Sequence, residues 1–260
     1  MNIDKIKQRL ATLKTATTKQ NILWKPEPGK TSVRIVPYKY NPDNPFIELY
    51  FHFEIASKPM LSPFTYGEPD PIVEFSNQLK KTGSKDDWRL GKKLEPKLRT
   101  FVPIVVRGQE NEGVKFWGFG KQVYEQLLTF ISEPDYGDIT SPDTGCDIVI
   151  TFKTAKEVGK DYPETTIIVK RMSTPLAENK ELRTKFLEEQ KNIQDIYKKP
   201  TYDELKKALD VWLNPEESKD ASETPEVNDE SDEIKSNTDS DSADANQATF
   251  DQLFGKVAPQ

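Results

Sequence analysis

The last 47 residues decide how the rest of the chain must fold. From Asn214 to Gln260 there are 13 aspartates and glutamates against three lysines, a net charge of −10. Apolar side chains are scarce there until the closing run Thr249-Phe250-Asp251-Gln252-Leu253-Phe254-Gly255. Such a stretch has too little apolar surface to offset the entropy of ordering it, so residues 214–260 are expected to be a disordered acidic tail with an apolar tip. Folding then falls to residues 1–213, and because the whole chain carries −6, that body carries +4. A basic body beside a built-in polyanion points to a polyanion as the body's own ligand.

A body of this length can bury roughly 70% of the surface of its unfolded chain, enough for one globular domain with extensions. One cysteine, Cys146, excludes an internal disulfide framework, and with one histidine, His52, it leaves too few soft ligands for a structural zinc site. No metal and no cofactor are expected. No apolar run approaches the roughly 18 residues of a membrane span, and the N-terminus lacks an apolar signal core, so a cytoplasmic protein without membrane contact is expected.

Residues 1–20 read as a basic arm. Ile3, Ile6, Leu10 and Leu13 stand at helical spacing with Lys5, Lys7 and Arg9 on the remaining arc, and the arm sums to +4 before the prolines at 26 and 28. A core spans 21–175. Strands are expected over 31–37 and 46–55, then over 101–107 and 114–120 as a hairpin, then over 146–153 and 165–171. A helix over 121–131 interrupts them, with Val123, Leu127 and Ile131 on one face. Residues 57–96, with five prolines and the cluster Lys80, Lys81, Lys85, Trp88, Arg89, Lys92 and Lys93, read as an irregular functional insertion. A helical extension over 176–213 is expected to hold two helices. The fold class that results is mainly β with added helices: an OB-fold-like Greek-key barrel core with a long insertion, C-terminal helices and the acidic tail.

The chain lacks the phosphate-loop pattern, the zinc-deaminase pattern and any histidine with catalytic partners, so an enzyme is not expected. What it offers is cations interleaved with rings, the combination that single-strand binders use to neutralise phosphates and stack unpaired bases. The candidates are Arg34 with Tyr38; Trp88 with Arg89, Lys92 and Lys93; Lys97 and Arg99 with Phe101; Trp117 with Lys115 and Lys121; and Tyr162 with Lys160. The same strand aromatics also suit a core, and periodicity alone leaves both roles open. A protein-interaction scaffold is the alternative reading of the basic body. At the tail tip, Phe250, Leu253 and Phe254 stand at i, i+3 and i+4, the spacing of a short helix that lays an apolar stripe into a partner's groove.

The succession SVRIVP, FVPIVVRGQENEGVKFWGFGKQVYEQL and CDIVITFKTAKEVGKDYPETT, followed by the acidic tail, resembles the single-stranded DNA-binding proteins of T-even-like tailed phages, the helix-destabilising proteins. The likeness covers most of residues 1–175 discontinuously, and the tail by composition. It implies an OB-fold core whose cleft would include Arg34, Lys97, Arg99, Phe101, Trp117 and Tyr162. It implies head-to-tail self-association through the N-terminal arm, here Lys5, Lys7 and Arg9, and the run Lys97-Leu98-Arg99-Thr100 looks like the family's internal copy of that basic motif. Replication proteins, a polymerase, helicase or helicase loader, would be met by the tail. It also implies work in replication, recombination and repair in the cytoplasm of a bacterial host. The chain departs from the family's type member at the zinc module, because Asp70 to Leu79 carries apolar and polar residues where ligands would stand. A zinc-free insertion packed through Ile72, Val73, Phe75 and Leu79 is expected instead.

Overall fold

Arg9, residues 22–214 and residues 240–255 are described in the computed structural model of the chain. Lys5, Lys7 and the acidic run 215–239 lie outside the described residues, and Arg9 is exposed. In chain order the elements are β1 (Leu23–Trp24), β2 (Gly29–Ile35), β3 (Ile47–His52), β4 (Met60–Leu61), α1 (Pro71–Leu79), α2 (Lys85–Leu94), β5 (Lys97–Val106), β6 (Lys115–Phe119), α3 (Lys121–Ser132), β7 (Cys146–Lys153), α4 (Ala155–Val158), β8 (Glu164–Ser173), α5 (Lys180–Glu188), α6 (Tyr202–Leu213) and α7 (Ser240–Phe254). They fall into two compact units, one of Met1–Leu49 with Leu98–Lys198 and one of Tyr50–Lys97 with Lys199–Gln260.

The first unit is built on alternation. Strand neighbours run β1-β6-β5-β2-β7-β8, and off this path β3 pairs with β5 and, through Phe51 and His52, with β4. Along the β1-to-β8 path every pair is antiparallel except β1 with β6, a parallel pair that the sequence pattern did not announce. The inward residues Val33, Ile35, Val102, Ile104, Trp117, Phe119, Ile148, Ile150, Ile167 and Val169 form one core, closed by Val123 and Leu127 of α3. On the outward side, Val36, just past the end of β2, and Val105 of β5 are covered by Leu176, Ala177 and Phe186. Each such buried aliphatic side chain contributes about 1.5–3 kcal/mol.

The expected helix after residue 178 stops at Glu188 and resumes only as a 3-10 turn over Ile193–Ile196. Tertiary hydrogen bonds override its propensity. The Gln190 amide donates to the Phe186 and Pro37 carbonyls at 2.9 and 2.8 Å, and Asn192 caps the following turn while accepting from the Tyr38 hydroxyl at 3.0 Å.

In the second unit the insertion is not irregular: it forms two helices. Asp70 caps α1 by accepting from the Ile72 and Val73 amides, with Pro71 at the first helical position, and Ser84 caps α2. Ile72, Phe75 and Leu79 are buried as expected, whereas Val73 is only half-buried. Gly91 lets the two helices approach closely, since a Cβ there would lie 2.7 Å from the Ser76 carbonyl oxygen.

A buried polar cluster ties the insertion together. His52 faces the Leu94 carbonyl through Nδ1 at 3.1 Å and the Asp70 carboxylate through Nε2 at 2.9 Å, and the Ser62 hydroxyl donates to the same carboxylate oxygen. Both ring nitrogens face acceptors. Burial alone would push the Asp70 carboxyl up, but hydrogen bonds from His52, Ser62 and the Val73 amide, with the imidazole charge, hold it below the usual carboxylate range. A carboxyl depressed in the folded state stabilises above its unfolded pKa, about 3.9, and that contribution fades as pH falls through the acid range. Asp70→Ala is therefore expected to cost at least about 2 kcal/mol at pH 7, through the lost cap and two unpaired partners. Urea melts should show a smaller gap between variant and wild type at pH 3 than at pH 7, and an equal gap at both would contradict the depressed carboxyl.

Candidate nucleic-acid interface

Register places a basic surface on the outward face of β2, β7 and β8. One cross-strand row is Lys30, Thr151 and Thr166, and the next is Ser32, Val149 and Ile168. Lys153 follows at the end of β7 beside Glu164. On the other side Lys170 meets Asp147 at 3.6 Å, a carboxylate that also receives Arg107 at 2.8 Å and Arg34 at 3.5 Å. Three cations on one carboxylate leave this corner positive. Ile168 is 62% exposed, an apolar patch among lysines and hydroxyls. The hairpin from β7 to β8 carries α4, which is closed by a capping box between Thr154 and Glu157 and ended by Gly159 at φ 64°. Beyond it Tyr162 stands 60% exposed, with the Lys160 ammonium 5.9 Å from its ring centroid.

In the second unit α2 is amphipathic. Leu90 and Leu94 pack inward, while Trp88, 49% exposed, shares the outer side with Arg89 and Lys92. The Lys92 ammonium lies 5.9 Å from the Trp88 ring and 3.0 Å from Glu95. Lys93 and Lys97 share Glu54, each at 3.6 Å, and Lys97 also lies 6.0 Å from the Phe53 ring. A further exposed ring, Tyr66, sits under Lys199 at 5.0 Å. Exposed ion pairs are weak and screened by salt, so a phosphate oxygen can replace a carboxylate partner at little cost.

The remaining predicted residues divide sharply by burial. Lys121 is exposed at the start of α3, 3.4 Å from Glu125, Lys115 is largely covered and pairs with Glu112, and Arg99 is exposed. Trp117 is 1% exposed and points into the core, its ring 4.6 Å from Phe119 and 6.1 Å from Trp24. Phe101 and Tyr38 do face outward, but the chain returns over them. Phe101 packs at 5.6 Å on Tyr197, whose hydroxyl burial pushes up to about 12 against the pull of Arg99, and Tyr38 packs at 5.9 Å on Phe116.

Arg34 is wholly buried. It donates to the Ser141 carbonyl at 3.2 Å, the Thr174 carbonyl and the Asp147 carboxylate. Burial lowers its pKa, and Asp147 pulls the other way. A base cannot stack on a ring without an exposed face, nor a phosphate reach a sealed guanidinium. The structure places Arg34, Tyr38, Phe101 and Trp117 in its packed interior rather than at its surface. Conversely, Lys30, Lys153, Lys170 and Ile168 escape a search for pairs along the chain, because they come together only across strands. Alternation in GKTSVRI, CDIVITFK and TTIIVKR is the signal that could have found them.

Exposed rings beneath cations, on a basic sheet face in one unit and on a helix in the other, are the features with which single-strand binders neutralise phosphates and stack bases. A family model described as gp32 DNA binding protein like matches residues 27–212, and the chain belongs to this family of single-stranded DNA-binding proteins. No curated protein matches the chain.

Proposed function

We propose that this chain binds and protects single-stranded DNA without regard to sequence during phage replication, recombination and repair, in the cytoplasm of a bacterial host. The observation that carries the reading is the pairing of exposed rings with cations, Trp88 with Lys92 and Tyr162 with Lys160, on a chain of this family. Rings of any base can stack on such platforms, so binding is independent of sequence. The strand-binding core is read as an OB-type barrel, with α3 as the helix that interrupts its strands. The basic arm, with Lys5, Lys7 and Arg9, is assigned to head-to-tail association along the strand. The acidic segment would compete with DNA for the cations, and its tip would recruit replication proteins.

A salt series on a labelled oligo-dT and on a duplex of equal length tests the reading. Logarithmic affinity for the single strand should fall with logarithmic salt at about −0.7 per neutralised phosphate, with a total slope steeper than about −2. Affinity independent of salt, or equal affinity for the duplex, would reject it.

A further inference from the structure

The tail tip is not presented to solvent. Within the second unit, Phe250 of α7 is fully buried, packed edge-on against Phe75 of α1 at 6.2 Å and against Phe254 at 4.9 Å. It joins the cluster of Ile72, Phe75 and Leu79 from α1 and Leu205 and Leu209 from α6, while Leu253 and Phe254 are partly buried at its edge. Lys206 of α6 donates to the Phe254 carbonyl at 3.1 Å, placing a cation at the C-terminal end of α7, and lies 5.3 Å from the Phe254 ring. Asn214 donates to Gln247 at 2.9 Å.

We propose that the groove between α1 and α6 is a docking surface for an amphipathic Phe-x-x-Leu-Phe helix. Its occupant is the chain's own C-terminal helix, held there reversibly. Reversibility follows from how few of the described side chains of the helix are enclosed. Of the three apolar tip residues only Phe250 is fully enclosed, and Asn246 is buried with its side-chain oxygen unpartnered, which disfavours the docked state. The 25 residues from 215 to 239 must also be closed into a loop for the tip to reach the groove. Phe250, Leu253 and Phe254 form a single stripe and can fill one groove at a time. A tip docked here cannot also enter a partner's groove, so recruitment requires release. The recruiting role rests on the function proposed above, but the pairing of groove and tip does not.

The test uses the full chain and a labelled peptide of residues 240–255, followed by fluorescence anisotropy. In the wild type the tethered tip holds the groove at high effective concentration and competes with the peptide. Phe250→Ala in the full chain should empty the groove, so the peptide is expected to bind that variant at least tenfold more tightly. Leu253→Asp, at the partly exposed edge, should show the same gain and covers the case in which loss of Phe250 disturbs folding. Equal affinity across wild type and both variants, or no uptake by any of them, overturns the proposal. Neither result depends on DNA, so failure of the single-strand reading would appear in the salt series alone.

Discussion

Trp117→Ala is expected to lower the stability of the first unit by about 3–5 kcal/mol, the usual cost of emptying a large aromatic site in a packed core. The indole is 1% exposed and touches Phe119 and Trp24, its cross-strand partner is Val102, and Val123 of the helix that closes the core belongs to the same cluster. The site cannot collapse without moving both, so most of the cavity should persist. Trp88→Ala should do the reverse. That ring is 49% exposed on α2, so its loss should leave melting within about 0.5 kcal/mol and cost about 1–3 kcal/mol of single-strand affinity. Urea melts and oligo-dT titrations of both variants check the pair. A Trp117 variant that melts like wild type but binds DNA poorly would return that residue to the interface.

Arg34→Ala is the second large effect, at least about 3 kcal/mol. Its removal would leave the Thr174 carbonyl without its donor, at about 1–3 kcal/mol, while the Ser141 carbonyl would keep the Gly145 amide, and it would open a large void besides. Asp147 would keep Arg107 and Lys170, so the loss would come from that carbonyl and from packing rather than from a stranded carboxylate. The fork is built into the backbone: a Cβ on Gly145 would lie 2.9 Å from the Arg34 Nη2 and 2.5 Å from the Ile139 carbonyl. Arg34→Lys should not rescue stability, because a single ammonium cannot replace a planar fork. Thermal melts decide the matter. An unchanged melt with weakened DNA binding would contradict the structural role.

These two residues show where the sequence stops being legible. β7 has the bounds expected, and α3 with its apolar face is also readable. In β5 every residue from Thr100 to Val106 is buried, so alternation cannot say which side faces solvent. What covers the outer side is the return of residues 176–197, a tertiary event that periodicity within a strand does not encode. The helices of the insertion are hidden differently. Five prolines suggest irregular chain, yet Asp70-Pro71 is a cap followed by a proline at the first helical position, where proline is favoured. The basic face of β2, β7 and β8 exists only across strands, so no inspection of adjacent residues assembles it.

The central claim is that exposed cations and rings, rather than the buried aromatics of the sheet, hold the strand. Charge reversal on the outer sheet face tests it most directly, through the salt dependence of oligo-dT binding by wild type and by a Lys30→Glu, Lys153→Glu, Lys170→Glu variant. The variant should melt like wild type, bind more weakly at low salt, and show a slope shallower by up to about 2, at about 0.7 for each phosphate no longer neutralised. Equal affinities and equal slopes for the two proteins would contradict the account.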